Sequence, residues 1–206
     1  EVVGTARNGK YALQWLETNQ TDMILMDVEM PVMNGIEALT KIKQAYAVPV
    51  IMLSSLSTKE ITIEALALGA ADFVEKPLNL MSINQEWVAD FSEKIRSIYQ
   101  KNRGTDYEHS SVINAFKQSA VSDKKLPTKI DALVIGASTG GPRALLKVIR
   151  HLPPRLQIPV FIVQHMPKGF TASFAQRLDA ETRVTVKEVT DQMVIENCVY
   201  LCPGDY

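Results

Sequence analysis

The sequence predicts an α/β fold built on two parallel sheets, each incomplete, and three observations carry that expectation. First, short apolar runs rich in β-branched residues alternate with stretches of helical period at both ends of the chain. Such alternation implies right-handed crossovers and strands covered on both faces. Second, chemically capable side chains follow directly on the apolar runs: Asp27, Ser54 and Lys76 in the first half, Ser138 and His165 in the second. Ligands of a parallel sheet collect at the carboxyl ends of its strands, where these residues stand. Third, residues 101–128 turn to Ser, Lys, Asp, Thr and Asn with no sustained period. The chain is thereby divided into residues 1–103, a linker over 104–128, and residues 129–206.

At 206 residues with 46% hydrophobic side chains, the chain can bury a substantial core. The formal net charge is −1 with acids and bases interleaved, which gives no electrostatic footprint for nucleic acid or an anionic membrane. No apolar run reaches the roughly 18 residues that a membrane span needs, and residues 1–20 carry no signal-peptide pattern, so a soluble cytoplasmic protein is expected. Cys198 and Cys202 stand four apart on an expected strand, roughly 13 Å from each other at about 3.3 Å per residue. That separation excludes a mutual disulfide, and without a histidine pair nearby they read as structural thiols. The chain opens on Glu1 inside an expected strand over residues 1–4 and stops at Tyr206 in mid-pattern, so it is expected to be a piece of something longer.

In order, residues 10–16 have helical period and 23–26 make a short apolar strand. Asn34-Gly35 opens a helix over 36–43, residues 48–53 form a strand, and 58–68 form a helix closed by Gly69. Residues 71–74 are a further strand, ended by Lys76-Pro77. The stripe of Trp87, Val88, Phe91, Ile95, Ile98 and Tyr99 marks a last helix within 80–100, and residues 112–116 offer a short helix inside the linker.

A carboxylate, a hydroxyl and an ammonium therefore end three successive strands. Asp27 can attack phosphorus, Lys76 can balance charge on the oxygens and Ser54 can donate a hydrogen bond, a set that suits phosphoryl transfer. Taken singly, each has a plainer role, as a turn cap or a solvated lysine before proline. Their coincidence favours the chemistry.

Leu25-Met26-Asp27-Val28-Glu29-Met30-Pro31-Val32-Met33-Asn34-Gly35, Pro49-Val50-Ile51-Met52-Leu53-Ser54-Ser55 and Gly69-Ala70-Ala71-Asp72-Phe73-Val74-Glu75-Lys76-Pro77 resemble a response-regulator receiver domain. The resemblance implies a flavodoxin-like, doubly wound parallel sheet. It implies Asp27 as phosphoacceptor, Ser54 as switch hydroxyl, Phe73 as the aromatic that reorients with it, and Lys76 as the phosphate-pairing lysine. It further implies Mg2+ held by Asp27, the backbone carbonyl of Glu29 and an acidic pair after the first strand. These residues begin at the expected second strand and do not include that pair, so magnesium binding and phosphorylation are expected to be weak.

In the second half, Leu133-Val134-Ile135-Gly136-Ala137-Ser138-Thr139-Gly140-Gly141-Pro142 reads as a buried strand, a tight turn and a helix start whose free amides point back towards Ser138. A helix over 143–151 leads to a strand over 158–163 that ends in Gln164-His165-Met166-Pro167. Strands joined by one crossover are commonly parallel neighbours, so Ser138 and His165 can meet, with the histidine as general base for the serine. The same glycines leave a nucleotide site open, with Gly136 and Gly141 as outer glycines, although Ser138 fills the middle position and no ribose-binding acid ends the next strand. A purely structural turn is the third reading. Gly136-Ala137-Ser138-Thr139-Gly140 fits the nucleophile-elbow pattern, but the serine–acid–histidine order of α/β-hydrolases is not followed. Asp179, after a helix over 171–178, Asp191 and Asp205 are weak candidates for an acid.

Ile135 to Pro142, Val163-Gln164-His165-Met166-Pro167, the run from Gly169 to Asp179 and Tyr200-Leu201-Cys202-Pro203-Gly204-Asp205 resemble the catalytic domain of the chemotaxis-specific protein-glutamate methylesterases, whose receiver and linker also match. The resemblance implies hydrolysis of γ-glutamyl methyl esters on the cytoplasmic helices of chemoreceptors, with glutaminyl deamidation as a related activity and a chemotaxis histidine kinase as phosphodonor. Ser138 is then the nucleophile, His165 the base, and Thr139 lies near the substrate carbonyl, with no cofactor for the esterase. The family's triad aspartate belongs to a later Asp-Gly motif that is not among these residues, so the piece itself is expected to be a poor catalyst. The expected regulation is a receiver that covers Ser138 until Asp27 is phosphorylated. The alternative is a non-catalytic interaction module linked to a receiver.

Overall fold

A computed structural model describes residues 1–77, 79, 83–102 and 129–204. The first sheet has three parallel strands in the order β1 (Ile24–Asp27), β2 (Val50–Ser54), β3 (Asp72–Glu75). With them go α1 (Gly9–Leu16), α2 (Gly35–Ala45), α3 (Lys59–Leu68) and α4 (Gln85–Asn102). Val50, Ile51 and Met52 are fully buried in succession because both faces of β2 are covered. Val50 and Met52 pack into the cluster that holds Leu39, Ile42 and Ile63, while Ile51 joins Val74 and Ile98 of α4 on the other face.

The helix ends follow the sequence. Asn8 caps α1 by accepting from the Tyr11 amide at 3.1 Å, and Asn34 caps α2 by accepting from the Glu37 amide at 2.9 Å. Gly35 has to be glycine: its amide bonds the Val28 carbonyl at 3.0 Å, and a Cβ there would overlap the Asp27 carbonyl. This close approach fixes the loop that follows Asp27.

The second sheet is also wholly parallel, in the order β4 (Leu133–Ala137), β5 (Val160–Gln164), β7 (Val199–Leu201), β6 (Val186–Glu188). The expected buried strand at 133–137 is instead an edge strand with Leu133 and Val134 exposed, because only β5 lies beside it. Between β4 and β5 runs α5 (Gly141–Arg150), and between β5 and β6 runs α6 (Phe170–Glu181). The two sheets do not stand apart. Helix α3 packs against α6 and α5, and Ile63, Leu66 and Phe73 share one buried apolar cluster with Leu145, Phe170 and Phe174.

Residues 1–4 are not a strand. They belong to neither sheet, and Val2 and Val3 are exposed, because an extended segment becomes a strand only when a neighbour takes up its amides and carbonyls. Cys198 and Cys202 flank β7 rather than lying within it, and both are free thiols. The expected linker and its short helix lie outside the described residues. Among those described, no helix is long and apolar enough to cross a membrane.

Candidate functional site

Parallel register brings the first cluster together. Asp27 ends β1, and the Lys76 ammonium reaches its carboxylate at 2.7 Å, with both side chains about one-third exposed. The Glu29 amide donates to Asp27 Oδ1 at 2.9 Å, which holds the carboxylate at the mouth of the loop. Asp27 is thus an accessible oxygen nucleophile with a cation beside it, the arrangement an acyl phosphate requires.

Ser54 ends β2 as expected, yet its hydroxyl is not brought to this pair. It is fully buried and hydrogen-bonds Thr62 of α3, Thr58 just before that helix at 3.1 Å and the Ser55 carbonyl at 3.1 Å, which satisfies it away from Asp27. Phe73 is likewise buried and stacks on Phe170 of the second sheet's α6, ring centroids 4.7 Å apart. The implied Mg2+ is only partly provided for. Among the described residues no group of three or more His, Cys, Asp or Glu side chains gathers for a metal, and the Asp27 carboxylate already holds Lys76 and the Glu29 amide. The residues present do not complete that site.

The second cluster also follows from register. Ala137 is paired with Gln164, and the His165 amide continues the ladder to the Ala137 carbonyl at 3.0 Å, so Ser138 and His165 leave adjacent strands side by side. Ser138 Oγ lies 3.5 Å from His165 Nδ1, and both residues are exposed. A long contact of this kind is usual before substrate arrives. Gly140, at φ +72°, turns the chain, the Gly141 amide bonds the Ser138 carbonyl at 2.7 Å, and Pro142 starts α5. Half-buried Thr139 supplies the amide that directly follows the serine, where a nucleophile elbow has an oxyanion donor.

Of the candidate acids, Asp179 lies within α6 and accepts from the Val186 amide at 2.8 Å. That places it at the amino end of β6, the opposite edge of the sheet from His165. Asp191 is exposed in the turn after β6, and Asp205 lies outside the described residues. Among the described residues no carboxylate hydrogen-bonds the His165 ring.

Two residues escaped the sequence reading. Asp72 lies buried at the start of β3, where Oδ1 accepts from the Phe73 amide at 2.8 Å and Oδ2 accepts from the Gly140 amide at 3.1 Å. Burial pushes its carboxyl above the ordinary range, against the opposing pull of Lys94 and of those two amides. Buried Lys94 pairs with Asp90 at 3.3 Å and donates to the Phe73 carbonyl at 3.4 Å. The signal was a carboxylate inside an apolar strand. Gln164, a buried amide at the end of β5, carried the same kind of signal. Ser138 itself is exposed, so the first half does not lie over the serine as expected; it touches the turn two residues on, at Gly140, and α6 at Phe170.

The fold and the two clusters define a class: a parallel sheet with an aspartate–lysine pair at its carboxyl edge, joined to a parallel-sheet unit that carries a serine–histidine pair. Residues 2–87 match the response regulator receiver domain, and residues 133–206 match the CheB methylesterase family. A protein-glutamate methylesterase/protein-glutamine glutaminase of Geobacillus kaustophilus is 43% identical over 99% of this chain and 59% of its own length. The catalytic domain of Thermotoga maritima CheB is 48% identical over 38% of this chain and 42% of that one, with a TM-score of 0.36. Its response regulator domain is 42% identical over 50% of this chain and 77% of that one, with a TM-score of 0.42. The chain belongs to the receiver-linked CheB methylesterase family. It spans about six tenths of the length of the curated relatives it matches.

Proposed function

We propose that this chain is part of a cytoplasmic protein-glutamate methylesterase and protein-glutamine glutaminase, controlled by phosphorylation of Asp27. Its substrates are γ-glutamyl methyl esters and glutaminyl amides on the cytoplasmic helices of chemoreceptors, and its phosphodonor is a chemotaxis histidine kinase. The division into receiver (1–103), linker (104–128) and esterase (129–206) belongs to this reading.

The meeting of Ser138 and His165 at 3.5 Å carries it. His165 takes the Ser138 proton as Oγ attacks the ester carbonyl. The tetrahedral oxyanion forms beside the Thr139 amide, methanol leaves with the proton from His165, and water then hydrolyses the acyl-serine by the same proton path. In the receiver, Asp27 accepts the phosphoryl group and Lys76 balances its charge. Among the described residues, the Asp27 carboxylate and the Glu29 carbonyl are the groups that would hold the magnesium of such domains, which would offset charge on the phosphoryl oxygens. Ser54 and Phe73 are the switch pair, and the contacts of Asp72 and Phe73 with Gly140 and Phe170 give them a path to the esterase turn.

The test is methanol release from methylated receptor membranes by the full-length protein, before and after acetyl phosphate. The expected result is release that rises after phosphorylation and vanishes in Ser138→Ala. Release that persists in Ser138→Ala would remove the esterase assignment, and equal rates with and without acetyl phosphate would remove the regulation.

A further inference from the structure

We infer that Gln164 is the positioning residue of the serine–histidine pair, an amide clamp that sets the distance between nucleophile and base. This deepens the esterase reading above and rests on it. Gln164 is buried, and its Nε2 donates to the Ser138 carbonyl at 3.1 Å and to the His165 carbonyl at 2.9 Å. Both neighbours are carbonyls and can only accept, so the nitrogen, with its two protons, has to face them. One primary amide thus ties together the backbones of the two residues whose side chains must meet.

The ladder alone does not do this. Its last bond in this pair runs from the His165 amide to the Ala137 carbonyl, one residue short of Ser138. Beyond it the chain enters the Gly140 turn, and the Ser138 carbonyl is held by the Gly141 amide and Gln164. Gly141 leaves the room: a Cβ there would overlap Gln164 Oε1 and crowd Ala137 Cβ at 2.9 Å. Oε1 is buried without a hydrogen-bond partner among the described residues, so this nitrogen spans two carbonyls while the oxygen of the same amide goes unpaired there. A displacement of about 1 Å between reacting groups costs on the order of 100-fold in rate, which makes such a clamp worth an orphaned oxygen.

The experiment uses full-length protein carrying Gln164→Glu or Gln164→Met, with active sites counted by a fluorophosphonate that labels the serine. Turnover per labelled site on methylated receptor membranes is expected to fall by about 10- to 100-fold with KM unchanged, and labelling is expected to slow in parallel. A merely structural residue would lower the count of labelled sites and leave turnover per site intact; that result in folded Gln164→Met overturns the inference. Wild-type protein supplies a measurement that needs no variant. Its Gln164 side-chain amide protons should exchange with water far more slowly than those of exposed glutamines, and exchange at the exposed rate overturns the clamp. If wild-type protein labels at Ser138 and protects Gln164 but releases no methanol, the esterase reading has failed and the clamp has not.

Discussion

Asp72 Oδ2 accepts a hydrogen bond from the Gly140 amide at 3.1 Å, joining a strand of the first sheet to the turn that follows β4 of the second, 68 residues away in sequence. The receiver thereby holds the turn that carries Ser138. Burial raises the Asp72 carboxyl above its ordinary range, and the charged groups facing it are Lys94 and Asp90 of α4. Between the ordinary and the raised value the folded chain keeps a proton that the unfolded chain has released, so at this group stability falls as pH rises through that window. Lowering the pH through it should raise the melting temperature of the wild type relative to Asp72→Asn. Parallel pH profiles for the two proteins would contradict this.

Phe73 and Phe170 are both buried and stack at 4.7 Å. Either ring replaced by alanine should cost about 3–5 kcal/mol in denaturant unfolding. The double variant should lose less than the sum, by a coupling of about 0.5–1.5 kcal/mol. Under the proposed regulation, folded Phe73→Ala also has a higher unphosphorylated esterase rate than the wild type. Strict additivity would show that the rings are neighbours without coupling.

Ser138 and His165 act as one unit if the proposed chemistry holds. Ser138→Ala and His165→Gln should each reduce methanol release by about 10⁴-fold or more, and the double variant should be no worse than the poorer single one. Multiplicative losses would mean that the two residues serve separate steps.

The Asp27–Lys76 pair is about one-third exposed on each side, so its stability contribution is small. Lys76→Ala should cost less than about 1 kcal/mol, yet activation by acetyl phosphate should disappear. Asp27→Asn should also abolish the mass increase of one phosphoryl group in the intact protein. A phosphoryl group found elsewhere would displace Asp27 as acceptor.

Both sheets were legible because short apolar runs alternate with helical period, although the apolar run of β4 lies exposed at a sheet edge rather than buried, and the Ser138–His165 meeting was legible because adjacent parallel strands leave little choice of register. The direction of the Ser54 hydroxyl was not, since it depends on Thr62 of α3 and on Thr58 just before that helix. Nor were the Asp72–Gly140 and Phe73–Phe170 contacts. They join halves separated by a long aperiodic stretch, and periodicity says nothing about which surface of one half meets the other. Gln164 was visible only as a polar residue at a strand end; its role needed the positions of two carbonyls.

Under the proposed regulation, the apolar cluster that runs unbroken from Ile63 and Phe73 to Phe170 and Phe174 sets how sensitive the coupling between receiver and esterase unit can be. Moving a population from one per cent open to ninety-nine takes about 5.5 kcal/mol. One aromatic stack supplies about 1 kcal/mol beyond its burial, and one charge-assisted hydrogen bond about 1.5–3. The stack and the Asp72 bond alone supply less than that before the burial of Phe73 is counted, so under the proposed regulation the packing of α3 on α6 contributes to the response as well. Under the proposed regulation, a signal that loosens only one of these contacts produces a partial response, graded with its strength.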